Sequence, residues 1–177
     1  MKLDYSDYVR LPNDGRIHEI IDGIHYNHPA PRIKHQIISH NLEMIFGPYV
    51  RGLGTWLDAP TDVVLGPHDI VQPDKIFISK EKAHIITELN IQGVPDLLIE
   101  ITSAVDPGYD RETKMKLYDR YKVKYYLIVD AQMEMVELYR HTGNEYEMLG
   151  RFGKKDKFNI NIFPGLEISV EQVFEGV

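Results

Sequence analysis

Residues 94–130 read VPDLLIEITSAVDPGYDRETKMKLYDRYKVKYYLIVD, and the change of period inside this stretch decides the fold. Val94 to Ile101 is almost continuously apolar, as expected of a strand buried on both faces. From Tyr109 to about Tyr121 the apolar residues recur at helical spacing, and Tyr125 to Asp130 is again a short apolar strand. An apolar strand, a helix and a second apolar strand in succession belong to a sheet with helices packed against it.

Outward from this stretch the same reading continues. Ser6 suits the cap of a short first helix through Leu11, stopped by Pro12. His18 to Ile21 and Ile24 to Asn27 form a hairpin around Asp22-Gly23, a pair that tolerates positive φ. Pro31 to about Val50 reads as a helix whose apolar face is Ile33, Ile37, Ile38, Leu42, Ile45 and Phe46, ending near Gly47-Pro48. Trp56 to Ala59, Asp62 to Leu65 and Ile70 to Ile78 are expected strands of a meander, and Met135 to His141 and Tyr146 to Arg151 are two more. Ile160 to Ile168 is a last apolar segment, after which Ser169 caps a helical turn, Val170 to Phe174. Helix, strands, helix, strands make an α/β protein with a mixed sheet flanked by helices.

The 177 residues, 43% of them hydrophobic and 27% charged, suit one compact domain spanning 1–177. A formal net charge of -7 argues against indiscriminate coating of nucleic acid, although a local basic cleft remains compatible with it. With no cysteine, thiolate metal sites, thiol nucleophiles and disulfides are excluded. The first residues show no signal-peptide pattern and no apolar run reaches the ~20 residues of a membrane span, so the expected location is the cytoplasm, with no membrane partner.

Three charges lie inside apolar elements where a charge is costly: Asp74 in VQPDKIF, Glu100 in PDLLIEI and Lys114 in KMKLY. Alternation along 94–101 puts Asp96, Leu98 and Glu100 on one face and Leu97, Ile99 and Ile101 on the other. Asp74 shares a face with Ile76 and Ile78. If the two strands are neighbours, opposed Cβ atoms lie ~4.5–5.5 Å apart, close enough for both carboxylates to hold Mg²⁺ or Mn²⁺. Lys114, Leu117, Tyr118 and Tyr121 form one helical stripe, so Lys114 faces the sheet while Lys116 faces solvent. An ammonium there needs a carboxylate partner, and Glu100 is nearest in sequence. The bland reading of the trio is a buried salt-bridge network, and Asp96 suits a cap at the strand's entry.

In order and spacing, HEIIDG (18–23), KHQ (34–36), DV (62–63), VQPD (71–74), PDLLIEITS (95–103), KMKLY (114–118) and YYLIVD (125–130) carry a family likeness. The chain resembles the Uma-two family of inferred restriction endonucleases, within the PD-(D/E)XK nuclease superfamily, over nearly its whole length. The resemblance implies a restriction-endonuclease-like fold, a Mg²⁺-type cofactor, DNA as substrate, and Asp74, Glu100 and Lys114 as the active site. It adds the Ile101 carbonyl as a metal ligand and Glu19 as the acidic residue that completes such sites. One departure stands out. The superfamily pattern has its lysine two residues after the acid, where this chain has Thr102, so the lysine has moved to the following helix.

His35, Arg111 and Ser103 are the residues expected against substrate. Residues 111–124 carry six basic against two acidic side chains, a patch suited either to a phosphate backbone or to plain solvation. Among His18, His25, His28, His35 and His40 no pair has the i, i+4 spacing of a helical zinc motif. The expected function is a metal-dependent endonuclease; the alternative is a catalytically inactive nuclease-fold module that binds DNA or a protein. Late strands with Tyr139 and Tyr146 suit a sheet edge for a homodimer.

Overall fold

The computed structural model describes residues 2–102 and 108–177. A short helix, α1 (Tyr5–Tyr8), precedes strands β1 (Ile17–Ile21) and β2 (Ile24–His28), and then the long helix α2 (Ile33–Val50). Strands β3 (Gly54–Asp58), β4 (Val63–Gly66), β5 (Asp69–Val71), β6 (Lys75–Ser79), β7 (Ile91–Gln92) and β8 (Leu97–Thr102) follow. A π-helical turn (Tyr109–Lys114) leads directly into α3 (Met115–Arg120). The chain ends with β9 (Tyr125–Asp130), β10 (Met135–His141), β11 (Tyr146–Phe152), β12 (Lys157–Phe158), β13 (Ile168–Ser169) and α4 (Val170–Val173).

Two large sheets result, ordered β2-β1-β5-β4-β7 and β11-β10-β9-β8-β6-β3, beside a small β12-β13 ladder. In the six-stranded sheet β8 is central, parallel to β9 and antiparallel to β6. Its alternation sorts the core. Leu97, Ile99 and Ile101 pack with Ile38, Leu42 and Phe46 of α2 on one face. Leu98 packs on the other with Leu117 and Tyr118 of α3 and with Ile21, Val63 and Val71 of the five-stranded sheet. Each such aliphatic side chain contributes about 1.5–3 kcal/mol by leaving water. Glu100, next on the Leu98 face, is thus carried between the two sheets.

The structure corrects the expected elements in four places. Asp4, not Ser6, caps α1, because Asp4 and Asp7 form a reciprocal capping box. Helix α2 runs through Pro48 to Val50, since buried Phe46 and Val50 hold it to the core on both sides of the proline. Ile33, expected on its apolar face, is exposed. Residues 70–78 are not one strand of a meander. They break at Gln72-Pro73-Asp74, with β5 in one sheet and β6 in the other. Pro73 has no N–H for a ladder, so the chain leaves the first sheet there. Helix 109–121 opens with a π turn, the irregularity often found at functional sites.

The hairpin is formed as expected, with φ 54° at Asp22 and 77° at Gly23. Asp96 does cap an entry: its side chain accepts from Ser79 N–H at 2.8 Å and pairs with Lys82 at 3.0 Å. Tyr139 and Tyr146 pack with Tyr126 around the second core, so the apolar side chains that the edge strand β11 exposes are Met148 and Leu149. Among the described residues no helix is long and apolar enough to cross a membrane.

Candidate active site

The ladder between β6 and β8 pairs Lys75 with Ile99 and Ile76 with Leu98. One step further along this antiparallel register, Asp74 comes opposite Glu100 at the end where the chain breaks out of the sheet. The Asp74 side chain takes over from the ladder there. Its Oδ2 accepts the Ile101 N–H at 2.7 Å, and its Oδ1 lies 3.0 Å from His35 Nε2 on α2. The other ring nitrogen of His35 is buried without a hydrogen-bond partner among the described residues.

Lys114 enters from the π turn. Its Nζ lies 2.7 Å from Glu100 Oε1 and 2.8 Å from Glu19 Oε1, so one ammonium bridges two carboxylates from two sheets. All three are buried. Both carboxylates have further donors: Tyr118 OH donates to Glu100 Oε1 at 2.7 Å, Tyr109 OH to Glu19 Oε2 at 2.8 Å, and Gln72 N–H to Glu19 Oε1 at 2.8 Å. The break at 72–74 therefore serves the site twice. It frees the Gln72 N–H for Glu19 and leaves Asp74 at the strand end.

Glu19, Asp74, Glu100, Asp110 and Lys114 line a cavity of about 460 Å³, walled by Pro29 to Arg32 and the first turn of α2 and by the Ala131-Gln132 turn. Burial raises the Glu100 carboxyl well above its ordinary range; Lys114 opposes this, and Asp110, Asp74 and Glu19 reinforce it. Burial pushes the Lys114 ammonium the other way, yet Glu100 and Glu19 overcome it and hold the lysine protonated well above its usual range. In both groups burial disfavours the charged form and the opposite charge beside it acts against burial. Glu100 and Glu19 share one ammonium there.

Among the described residues no three His, Asp or Glu side chains converge as a ready-made metal cage. The donor set nevertheless fits a hard divalent cation. Mg²⁺ is bound through one or two carboxylates with several waters retained, and Asp74 and Glu100 are two such oxygen donors on one cavity.

Of the expected site residues, the fold gathers Glu19, Asp74, Glu100, Ile101, Lys114 and His35 around this cavity. Arg111 does not line it; its guanidinium is engaged by Asp130 at 2.8 Å and Glu137 at 3.3 Å. Arg120, in the same basic stretch, pairs with Asp22 and Asp69. Ser103 lies outside the described residues. Asp110 and Gln72 line the cavity without being among the expected residues. Asp110 had a signal, standing four residues before Lys114, whereas Gln72 acts through its backbone and leaves none.

The sequence profile of Uma2, described as "Putative restriction endonuclease", matches residues 5–171. The chain belongs to the Uma2 family. Its fold is that of a crystal structure described as "a putative nuclease belonging to DUF820 from Anabaena variabilis", with a TM-score of 0.78, 17% identity and 97% of each chain covered. At that identity the likeness shows the fold. No curated protein matches this Uma2 chain. Family and fold are those of a restriction-endonuclease-like protein.

Proposed function

We propose that this Uma2 chain is a divalent-metal-dependent endodeoxyribonuclease acting at the Glu19-Asp74-Glu100-Lys114 cavity. The observation that carries the reading is Lys114 bridging two buried carboxylates on the floor of a cavity that Asp74 also lines. Asp74 and Glu100, with the Ile101 carbonyl, would hold Mg²⁺ or Mn²⁺. When bound, such a cation lowers the pKa of a water and offsets charge on the scissile phosphate.

The chain's own residues do the rest. Lys114, kept protonated by Glu100 and Glu19, serves as a fixed cationic donor that orients the attacking water or steadies the phosphate oxygens as their charge grows. It is not a base. Glu19 holds that ammonium in place from the five-stranded sheet. Arg32 and Lys34, at the cavity wall, offer positive charge to phosphates flanking the scissile one, and His35 approaches from the same turn. Cleavage leaving a 5′-phosphate and a 3′-hydroxyl is the product expected by analogy with the superfamily.

Plasmid nicking in Mg²⁺ and in Mn²⁺ tests the reading, with wild type, Lys114→Ala and Lys116→Ala compared. Loss confined to Lys114→Ala is expected. Equal loss in both variants, or no metal-stimulated nicking by the wild type across varied DNA substrates, would reject it in favour of an inactive nuclease-fold module.

A further inference from the structure

We propose that Tyr118 is a positioning residue of this site, whose hydroxyl fixes Glu100 with one oxygen saturated by donors and the other available to a divalent cation. The proposal rests on the metal-site reading above and assigns a role to a side chain that cannot itself reach substrate.

Tyr118 has no solvent exposure, and its ring is held edge-on by Tyr126 at a centroid distance of 4.9 Å. Its hydroxyl donates to Glu100 Oε1 at 2.7 Å, the same oxygen that Lys114 Nζ reaches at 2.7 Å. Two strong donors on one carboxylate oxygen leave Oε2 as the oxygen that carries no hydrogen bond among the described residues. A carboxylate so loaded has one orientation. Without the phenol only Lys114 remains, and a flexible four-carbon side chain holding one oxygen does not stop the carboxylate from rotating or from presenting both oxygens to the ammonium. Partners of this kind, one bond removed from a metal, orient the ligand and cost roughly 10–100-fold in affinity when lost.

The geometry also separates Tyr118 from tyrosines that merely pair with acids. Tyr121 OH donates to Asp69 Oδ2 at 2.7 Å, a bond of equal length to a carboxylate that does not line the cavity. Tyr118→Phe and Tyr121→Phe therefore each delete one phenol-to-carboxylate bond and keep the ring in place. Only the first touches a candidate metal ligand.

Titration calorimetry with MnCl₂, with melting temperatures of the apo proteins measured alongside, tests the assignment without use of activity. Both variants are expected to melt lower than wild type by about 2–6 °C, as a lost hydrogen bond predicts for a chain of this size. Tyr118→Phe is expected to bind Mn²⁺ about tenfold more weakly, and Tyr121→Phe as the wild type does. Unchanged Mn²⁺ affinity in Tyr118→Phe overturns the proposal. So does a gain in affinity, which would mean that the released charge on Glu100 outweighs its orientation. If Tyr118→Phe melts too low for titration at 25 °C, the titrations of all three proteins are made at 10 °C; equal Mn²⁺ affinity of Tyr118→Phe and Tyr121→Phe there overturns it. Absence of Mn²⁺ binding by the wild type is a different result, which rejects the metal site and the proposal together.

Discussion

Two lysines are buried against opposite faces of the six-stranded sheet, and they are held in different ways. Lys75 is 2% exposed, yet its partners Asp58 at 2.6 Å and Glu43 at 3.5 Å have side chains 52% and 44% exposed. Its stem is buried while its charge meets carboxylates that water still reaches. Lys114 is 3% exposed, and its partners Glu100 and Glu19 are 4% and 1% exposed. Burial of a lysine thus does not mark a site. What sets Lys114 apart is burial of its counter-ions beside a cavity, because those carboxylates cannot rehydrate and their charge must be answered by something inside.

The comparison breaks first on function. Lys114→Met, which keeps the stem and deletes the charge, is expected to lower metal-dependent nicking by on the order of 10³-fold. Lys75→Met should stay within about twofold of wild type in the same assay. Similar losses in both would end the distinction.

Stability comes next. Lys114→Met leaves two buried carboxylates without their cation and should cost about 3–5 kcal/mol in urea unfolding. Lys75→Met leaves its two partners half in water, and about 1 kcal/mol or less is expected. The sharper version is a double mutant. In a Glu19→Gln background, Lys114→Met should cost about 1–2 kcal/mol less than in wild type, because one of the stranded charges is already gone. Strict additivity would show that Glu19 and Lys114 do not depend on each other.

The smallest effect is the control within the helix. Lys116→Ala should change stability by no more than about 0.5 kcal/mol and leave nicking unaltered, as for an exposed position away from caps and core. A larger effect would mean that the helical stripe singles out the wrong lysine.

The legible part of the site followed from period. Lys114 shared a stripe with Leu117 and Tyr118, and the structure buries all three on one side of the sheet. Glu100 alternated with Leu98, and it points where Leu98 points. The illegible part depended on contacts between distant segments. Nothing local in Lys75, one residue after Asp74, announces burial; it follows from pairing with Ile99, which turns it to the α2 face. Arg111 and Arg120 belong to a basic stretch that suits a phosphate backbone or plain solvation equally, and only the fold brings Asp130, Glu137, Asp22 and Asp69 to them. Residues 70–78 read as one strand, since each half is apolar enough and only the choice of neighbour assigns β5 and β6 to different sheets.

By itself the sequence determined the strand-helix-strand frame around 94–130, the faces of Glu100 and Lys114, and the exclusion of thiol chemistry. These depend on side-chain period and residue type, which are local. The tertiary structure alone decided that Glu19 from the other sheet would share the ammonium, that Gln72 and Asp74 would sit at a break between sheets, and that Lys75 would meet carboxylates still in water. Those outcomes depend on which strands pair and which charges water can still reach, and neither is set until the chain has closed around them.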